Sequence, residues 1–144
     1  MNNLCVIPAR GGSKRIKQKN IRKFCGRPIL EYSIETARAS GIFSRIIVST
    51  DDEAIADVAR KGGADVPFVR PADLSDDQTT LIPVISHATT ASEEFYGEQF
   101  GNVCCLFATA PLLLPESIQA GLKLLDENPD VMFVFSVCPF NFPI

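Results

Sequence analysis

Short apolar segments alternate with longer amphipathic segments along the whole chain. The apolar segments have the length of strands, and they lie at residues 4–7, 46–49, 66–69, 103–107 and 131–137. The amphipathic segments repeat apolar side chains at helical spacing, and they lie at residues 28–40, 53–61, 82–94 and 116–127. Strands that are apolar on both faces are typical of a parallel sheet with helices on both sides. The pattern therefore predicts an α/β fold with three layers, helix–sheet–helix, and a mostly parallel sheet.

The residues that flank these segments refine the prediction. Thr50 or Asp51 is a candidate N-cap for the helix at residues 53–61. In the last predicted strand, Phe133 and Phe135 are candidates for the core. That strand is followed directly by apolar residues 138–144, with no closing helix. We therefore expect the 144 residues to form one domain that lacks a C-terminal part.

Charge is distributed unevenly between the start of the chain and the rest. Residues 1–30 contain eight of the 14 lysines and arginines and no acidic residue, whereas all 17 acidic residues lie in residues 31–144. A cationic stretch in a protein of net charge −3 indicates one localised anionic partner. Nucleic acid requires a broader basic face, so a compact anion such as a triphosphate fits better, and a nucleic-acid binder is the third choice.

Other classes of protein are disfavoured by composition. No apolar run approaches the roughly 20 residues that a membrane-spanning helix needs. Four of the five cysteines lie in apolar, strand-like runs, and none forms a C-x-x-C pair. This usage indicates reduced, mostly buried thiols and a cytoplasmic location, and it argues against a disulfide framework or a zinc site.

Residues 8–27, which we call the basic loop, follow the first predicted strand. In a parallel sheet, ligands bind beyond the carboxyl ends of the strands, where this loop lies. Gly11 and Gly12 permit a tight turn with N–H groups near a ligand. Arg10 suits a bidentate phosphate contact, and Ser13, Lys14 and Lys19 add a hydroxyl and two charges. The loop contains neither G-x-G-x-x-G nor G-x-x-x-x-G-K-[ST], and the alternative is a solvated loop without a ligand.

Four motifs in register resemble the N-acylneuraminate cytidylyltransferase family. They read IPARGGSKRIKQKN at residues 7–20, IIVSTD at 46–51, FVRPADLS at 68–75 and ATAPL at 108–112. The glycine–glycine form of the first motif is most similar to the pseudaminic acid and legionaminic acid branches, and the CCLFATAP segment and the PADLSDDQTT turn favour the pseudaminic acid branch. The resemblance implies a Rossmann-like nucleotidyltransferase that transfers CMP from CTP to an acidic nine-carbon sugar and releases pyrophosphate.

The resemblance also implies a role for each matching residue. Arg10, Ser13 and Lys14 correspond to residues that hold the CTP phosphates, and Lys19 to the lysine near the reacting phosphate. Asn20 corresponds to a nucleotide contact and Arg70 to a cytosine contact; Thr79 or Thr80 corresponds to a hydroxyl near the base. Arg10 and Lys19 are the expected catalytic residues. We expect Mg²⁺ as cofactor, with protein ligands beyond Ile144, and a homodimer for the full-length form.

The sequence departs from the pattern of sialic acid enzymes at two positions. Phe107 and Leu113 stand where those members often have a glutamine and an arginine associated with the sugar. These two residues argue against sialic acid itself and suit a differently decorated sugar. Pseudaminic acid is the favoured substrate, and a legionaminic or sialic acid synthetase is the alternative. The glycine–glycine–serine–lysine run argues against the CMP-Kdo type. A non-catalytic nucleotide-binding remnant is the alternative of a different class, because the expected metal-binding part lies beyond residue 144.

The remaining polar candidates have ordinary structural explanations. His87, the single histidine, is expected to be an ordinary helix residue rather than a general base. Asp51 and Asp52 suit a helix cap at least as well as a metal site. A third acidic group is expected to be solvated or to form local hydrogen bonds, and it comprises Asp73, Asp76 and Asp77. Cys104 and Cys105 are adjacent in a strand and point to opposite faces.

Overall fold

The computed structural model describes residues 2–139. Its strands are β1 (Asn3–Pro8), β2 (Lys23–Phe24), β3 (Arg27–Pro28), β4 (Arg45–Ser49) and β5 (Asn102–Cys105). Its helices are α1 (Ile29–Ser40), α2 (Glu53–Gly62), α3 (Leu81–Tyr96) and α4 (Pro115–Glu127). Two short 3-10 turns lie at Lys19–Ile21 and Ala72–Leu74. None of the helices in the described part of the chain has the length and apolarity needed to cross a membrane.

The central sheet is parallel and has the order β4–β1–β5. Val6 of β1 stands opposite Ile47 of β4 and Cys105 of β5, so β1 is hydrogen-bonded on both edges. Four of its six residues are fully buried, which explains why its sequence is apolar at successive positions. Strand β1 is therefore the centre of the fold.

Alternate residues of β1 point to opposite faces of the sheet and build two separate cores. Leu4 and Val6 pack with Ile47 and with Ala88 of α3. Cys5 and Ile7 belong to the other core, which α1, α2 and α4 cover with Leu30, Ile34, Ile55, Ala59 and Ile118. The predicted α/β fold with three layers and a parallel sheet is thus confirmed.

The ends of the helices follow local rules, with one correction. Asp52, not Thr50 or Asp51, is the N-cap of α2, because its carboxylate accepts a hydrogen bond of 3.1 Å from the N–H of Ile55. The Thr50 hydroxyl instead accepts a 3.1 Å bond from the N–H of Asp52. Helix α2 ends where Gly63 adopts a φ of 88°, a conformation that glycine reaches without steric cost.

The predicted strand at residues 66–69 does not form. The chain makes one parallel bridge to β4 at Asp65, whose N–H donates to Ile46 O and whose carbonyl accepts from Val48 N, both at 2.9 Å. Pro67 follows shortly afterwards, and proline has no N–H to continue a ladder. The pairing with β4 therefore stops at this single bridge.

The predicted strand at residues 131–137, which we call the apolar segment, is also absent. Its side chains are largely exposed, with Met132 at 89%, Phe133 and Phe135 at 72% each and Val137 at 77%. The expected core role of the two phenylalanines is therefore wrong; their rings stack on each other at 6.4 Å instead. A continuous apolar run is buried only where a neighbouring strand and helix can cover it, and no strand among residues 2–139 pairs with this one.

Candidate functional site

The basic loop begins at the carboxyl end of β1, beside the ends of β4 and β5. The N–H of Ala9 donates to Ser49 O at 2.9 Å, and the N–H of Leu106 donates to Val6 O at 3.0 Å. These bonds bring the ends of the three strands to one edge of the sheet. A depression of about 220 Å³ lies there, and its polar lining comprises Arg10, Lys19, Asn20, Arg70, Asp76, Asp77, Thr79, Thr80 and Thr109.

Six of the ten residues to which the sequence assigned a role in nucleotide binding line this depression. Arg10, Lys19 and Asn20 line it from the basic loop, and Arg70 lines it from the segment that follows α2. Both candidate threonines line it as well. The lining does not include four other predicted residues of the basic loop, Gly11, Gly12, Ser13 and Lys14. The side chain of Lys14 is 82% exposed. The geometry thus unites three cations and an amide at the edge of the sheet where ligands of parallel sheets bind.

Arg10 is held by a segment that we call the acidic turn, residues 75–80. Its Nη1 atom lies 2.7 Å from Asp77 Oδ1 and donates to Asp76 O at 2.7 Å. Lys14 Nζ contacts the other oxygen of the same carboxylate, Asp77 Oδ2. The hydrogen bonds from Lys14 and Arg10 lower the pKa of Asp77. Asp77 was expected to be solvated or locally bonded; that expectation is wrong, because the carboxylate bridges two cations that are distant from it in sequence.

Asp76 shapes the acidic turn by local hydrogen bonds, as expected. Its Oδ1 atom accepts from the N–H of Gln78 at 2.9 Å and from the N–H and hydroxyl of Thr79 at 2.6 and 2.7 Å. These bonds, led by that from the Thr79 side chain, lower the pKa of the Asp76 carboxyl. A carboxylate that accepts bonds from the residues just after it in sequence closes a tight turn. The position of Asp77 at the basic loop follows from this turn.

Gly11 is required by a close approach rather than by an unusual backbone angle. A Cβ atom at this position would lie 2.8 Å from the Cβ of Asp52 and 2.7 Å from its Oδ2. Gly12 has open space around the same position. The N–H of Gly11 donates to Asp51 Oδ1 at 2.8 Å, so this carboxylate takes one of the loop's backbone donors. Asp51 therefore fastens the basic loop beside the start of α2, and Asp52 leaves no room for a side chain at Gly11.

Asn20 and Arg70 are the two polar residues of the depression that are buried. Asn20 is 6% exposed, and its Nδ2 donates to Arg10 O at 3.0 Å. Arg70 is 4% exposed; its Nε donates to Ser49 Oγ at 3.0 Å, and its Nη2 contacts Ser49 O. No carboxylate among residues 2–139 forms an ion pair with Arg70, and burial lowers its pKa. Ser49, which sequence reasoning missed, orients this guanidinium.

The two departures from the sialic acid pattern lie in different environments. Phe107 lines the depression and is 61% exposed, while its carbonyl accepts a hydrogen bond of 2.9 Å from Ser33 Oγ. Leu113 is partly buried against the core under α1, α2 and α4. Of the two, Phe107 is the one placed to contact a bound molecule.

The other candidates lie away from the depression. His87 is in α3 and packs edge to face against Phe68 at 5.1 Å. Cys5 and Cys104 stand opposite each other on β1 and β5, and both are free thiols whose pKa values burial raises, that of Cys104 to about 11. Cys105, the neighbour of Cys104, is also a free thiol. Within residues 2–139, no three histidine, cysteine or acidic side chains are grouped so that they could hold a metal ion.

Comparison with known proteins gives a consistent relationship. A family model described as cytidylyltransferase matches residues 4–141. The chain is 45% identical over 144 residues to the pseudaminic acid cytidylyltransferase of Campylobacter jejuni subsp. jejuni serotype O:2, covering 100% of this chain and 61% of that protein. It is 46% identical over 108 residues to the CMP-N,N'-diacetyllegionaminic acid synthase of the same organism, covering 75% of this chain and 46% of that protein.

A solved structure supports the fold. CMP:2-keto-3-deoxy-manno-octonic acid synthetase, determined in complex with CTP, superimposes with a TM-score of 0.69 at 21% identity, covering 90% of this chain and 49% of that one. The chain thus spans about three fifths of the pseudaminic acid enzyme and about half of this structure. Since the family model matches nearly the whole of the sequence, the protein belongs to the cytidylyltransferase family.

Proposed function

We propose that the depression at the carboxyl edge of the sheet binds CTP and that the protein transfers CMP to an acidic nine-carbon sugar. The observation that carries this proposal is the convergence of Arg10, Lys19 and Arg70 around one cavity. Three cations that line one cavity repel one another, and a bound polyphosphate removes that repulsion. Asp77 already offsets part of the charge, as a phosphate would. Family membership supplies the chemistry.

The proposed reaction is an in-line displacement at phosphorus. The anomeric hydroxyl of the sugar attacks the α-phosphorus of CTP, a new P–O bond forms, and the bond to the β-phosphate oxygen breaks with pyrophosphate as leaving group. Such reactions require mainly positioning and neutralisation of negative charge. Arg10 and Lys19 fit this role because both line the depression. Ser13 and Lys14 lie outside its lining, although Lys14 contacts Asp77, which lines it; both are proposed to contact the outer phosphates.

Arg70 is proposed to contact the base. Its side chain is nearly inaccessible, and Ser49 engages Nε and one terminal nitrogen, so its orientation is restricted. A planar guanidinium with a fixed direction suits hydrogen bonds to a base carbonyl better than a mobile phosphate contact. Asn20 holds the loop through Arg10 O, and its carbonyl oxygen is the atom proposed for the nucleotide.

Pseudaminic acid is the proposed sugar, and the legionaminic or sialic acid activity is the alternative. The 45% identity to a pseudaminic acid cytidylyltransferase over the whole chain favours pseudaminic acid. The match to the legionaminic acid synthase supports the legionaminic acid alternative. The apolar ring of Phe107 in the depression suits a sugar with an apolar substituent. Sialic acid enzymes often have a glutamine at this position, whose amide would instead form hydrogen bonds with the sugar.

Four further expectations remain proposals. Mg²⁺ is expected to accompany the triphosphate, but the described residues do not fit a resident metal site, because they contain no suitable group of ligands. A homodimer and a cytoplasmic location are proposed on family grounds. The domain formed by residues 1–144 is proposed to be the nucleotide-binding part.

The test is a product assay combined with calorimetry. The protein is mixed with CTP, Mg²⁺ and, in separate reactions, pseudaminic, legionaminic or sialic acid, and released pyrophosphate and CMP-sugar are measured. Turnover with pseudaminic acid supports the full proposal. CTP binding without turnover for any sugar supports the nucleotide-binding remnant instead. Absence of CTP binding, while the protein remains folded, contradicts both.

A further inference from the structure

The carboxylate of Asp77 occupies the position between two cations of the basic loop. One of its oxygens lies 2.7 Å from Arg10 Nη1, and the other contacts Lys14 Nζ. A phosphate group bound at the position of this carboxylate would use the same space and the same donors. Carboxylate and phosphate oxygens form equivalent charge-assisted hydrogen bonds with arginine and lysine. A phosphate can therefore occupy this position between Arg10 and Lys14 only by displacing the Asp77 carboxylate.

The acidic turn holds Asp77 in this position. Asp76 accepts three hydrogen bonds from Gln78 and Thr79, and its own carbonyl accepts a 2.7 Å bond from Arg10. The Asp77 carboxylate is thus presented by a closed turn rather than by a mobile side chain alone. A group tethered in this way acts as a competitor with an effective concentration in the millimolar range or above.

We propose that Asp77 is a specificity-determining residue, which keeps monocarboxylates out of the phosphate site and yields to a polyphosphate. This inference rests on the proposed function, in which both substrates are anions. The sugar acid carries one carboxylate, and it would have to replace a tethered carboxylate of equal charge. A triphosphate carries several charges and more acceptor oxygens, so it gains more from Arg10 and Lys14 than Asp77 does. Asp77 thereby favours binding of the triphosphate over the sugar acid at Arg10 and Lys14.

The test compares Asp77→Asn with Asp73→Asn. Asp73 is exposed in the neighbouring 3-10 turn and forms no ion pair among residues 2–139, so its variant has the same change in charge without the contact. Calorimetry with pyrophosphate at constant ionic strength is expected to show about three- to tenfold tighter binding for Asp77→Asn, and a change below about twofold for Asp73→Asn.

A second measurement distinguishes displacement from a general charge effect. Acetate at tens of millimolar is expected to weaken pyrophosphate binding to Asp77→Asn, relative to chloride at equal ionic strength, and to leave the original protein unaffected. In a Lys14→Gln background, removal of the Asp77 carboxylate is expected to have a smaller effect, because one of its two partners is gone. Asp77→Ala repeats the comparison if thermal unfolding shows that the asparagine variant is unstable.

The outcomes separate this inference from the proposed function. Equal pyrophosphate affinity in all variants, or weaker binding by Asp77→Asn, overturns the role of Asp77 while the nucleotide site stands. Acetate competition that is the same in every variant also overturns it. Failure of all variants and the original protein to bind CTP or pyrophosphate overturns the nucleotide site itself, and the role of Asp77 with it.

Discussion

The basic loop, residues 8–27, contains only the end of β1, a 3-10 turn, the short strand β2 and the start of β3, and the apolar segment, residues 131–137, contains no helix or strand. Within residues 2–139, bonds to distant parts of the chain hold the loop, whereas no hydrogen bond or ion pair to a distant residue holds the apolar segment. The loop is fastened through Arg10 to the acidic turn and through the N–H of Gly11 to Asp51. The apolar segment begins with a hydrogen bond from Val131 N to Asn128 O, and its large side chains are exposed. Its high hydrophobicity does not bury it.

The difference shows what holds an irregular segment in place. A polar loop becomes ordered when charged side chains and backbone donors find partners far away in sequence, because each such bond restricts two segments at once. An apolar segment gains from burial only when a surface of matching shape removes it from water. Residues 8–27 meet the first condition, and residues 131–137 do not meet the second within the described part of the chain.

The largest expected effect is on turnover, from Lys19→Ala. Loss of one charge that stabilises the transition state is expected to lower kcat by about 10²–10³-fold. Lys17→Ala is the matched control, since Lys17 is an exposed lysine of the same loop outside the lining of the depression. Pyrophosphate release, measured with CTP and the accepted sugar, reports the effect. Normal turnover of Lys19→Ala would remove this lysine from the mechanism.

Arg70→Ala is expected to weaken CTP binding by about ten- to a hundredfold, the range for a hydrogen bond to a charged group. If Arg70 contacts the base, pyrophosphate affinity changes much less than CTP affinity. Calorimetry with both ligands measures the ratio, and Arg60→Ala, which removes an exposed arginine paired with Glu53, is the control. Equal losses for CTP and pyrophosphate would place Arg70 at the phosphates rather than at the base.

A smaller effect is expected from an added methyl group in the basic loop. Gly11→Ala forces a Cβ against Asp52 and is expected to lower the free energy of unfolding by about 1–2 kcal/mol, within the range for over-packing. Gly12→Ala, where the same atom meets open space, is expected to change it by less than about 0.5 kcal/mol. Denaturant unfolding measures the free energy of unfolding of the two variants. Similar values for both would show that Gly11 is not closely packed against Asp52.

The smallest effect is expected in the apolar segment. Phe135→Ser is expected to change the free energy of unfolding by no more than about 0.5 kcal/mol, because the side chain is already 72% exposed. Its matched contrast is Leu30→Ala in the core, where truncation of a fully buried leucine costs about 2–5 kcal/mol. Denaturant unfolding of both variants provides the comparison. A loss for Phe135→Ser as large as that for Leu30→Ala would show that the segment is buried in solution.

Much of the architecture could be predicted because it depends on local patterns. The successive apolar residues of β1 and the helical spacing from Leu30 to Ala37 are visible in the sequence, and both elements form. The same rules failed at residues 66–69 and 131–137, where apolar character was present but continuous strand pairing was not. The periodicity of apolar residues indicates which segments tend to be buried. Strand pairing also requires a partner strand, and the periodicity does not show where that partner lies.

The candidate site divides in the same way. The sequence by itself determined the cationic character of the basic loop, its position directly after β1 and, through its motifs, the cytidylyltransferase relationship. Only the tertiary structure decided that Asp77 bridges Arg10 and Lys14 and that Ser49 orients Arg70. The physical reason is that charge and spacing are properties of neighbouring residues, whereas an ion pair between segments far apart in sequence exists only after the sheet has brought both to one edge.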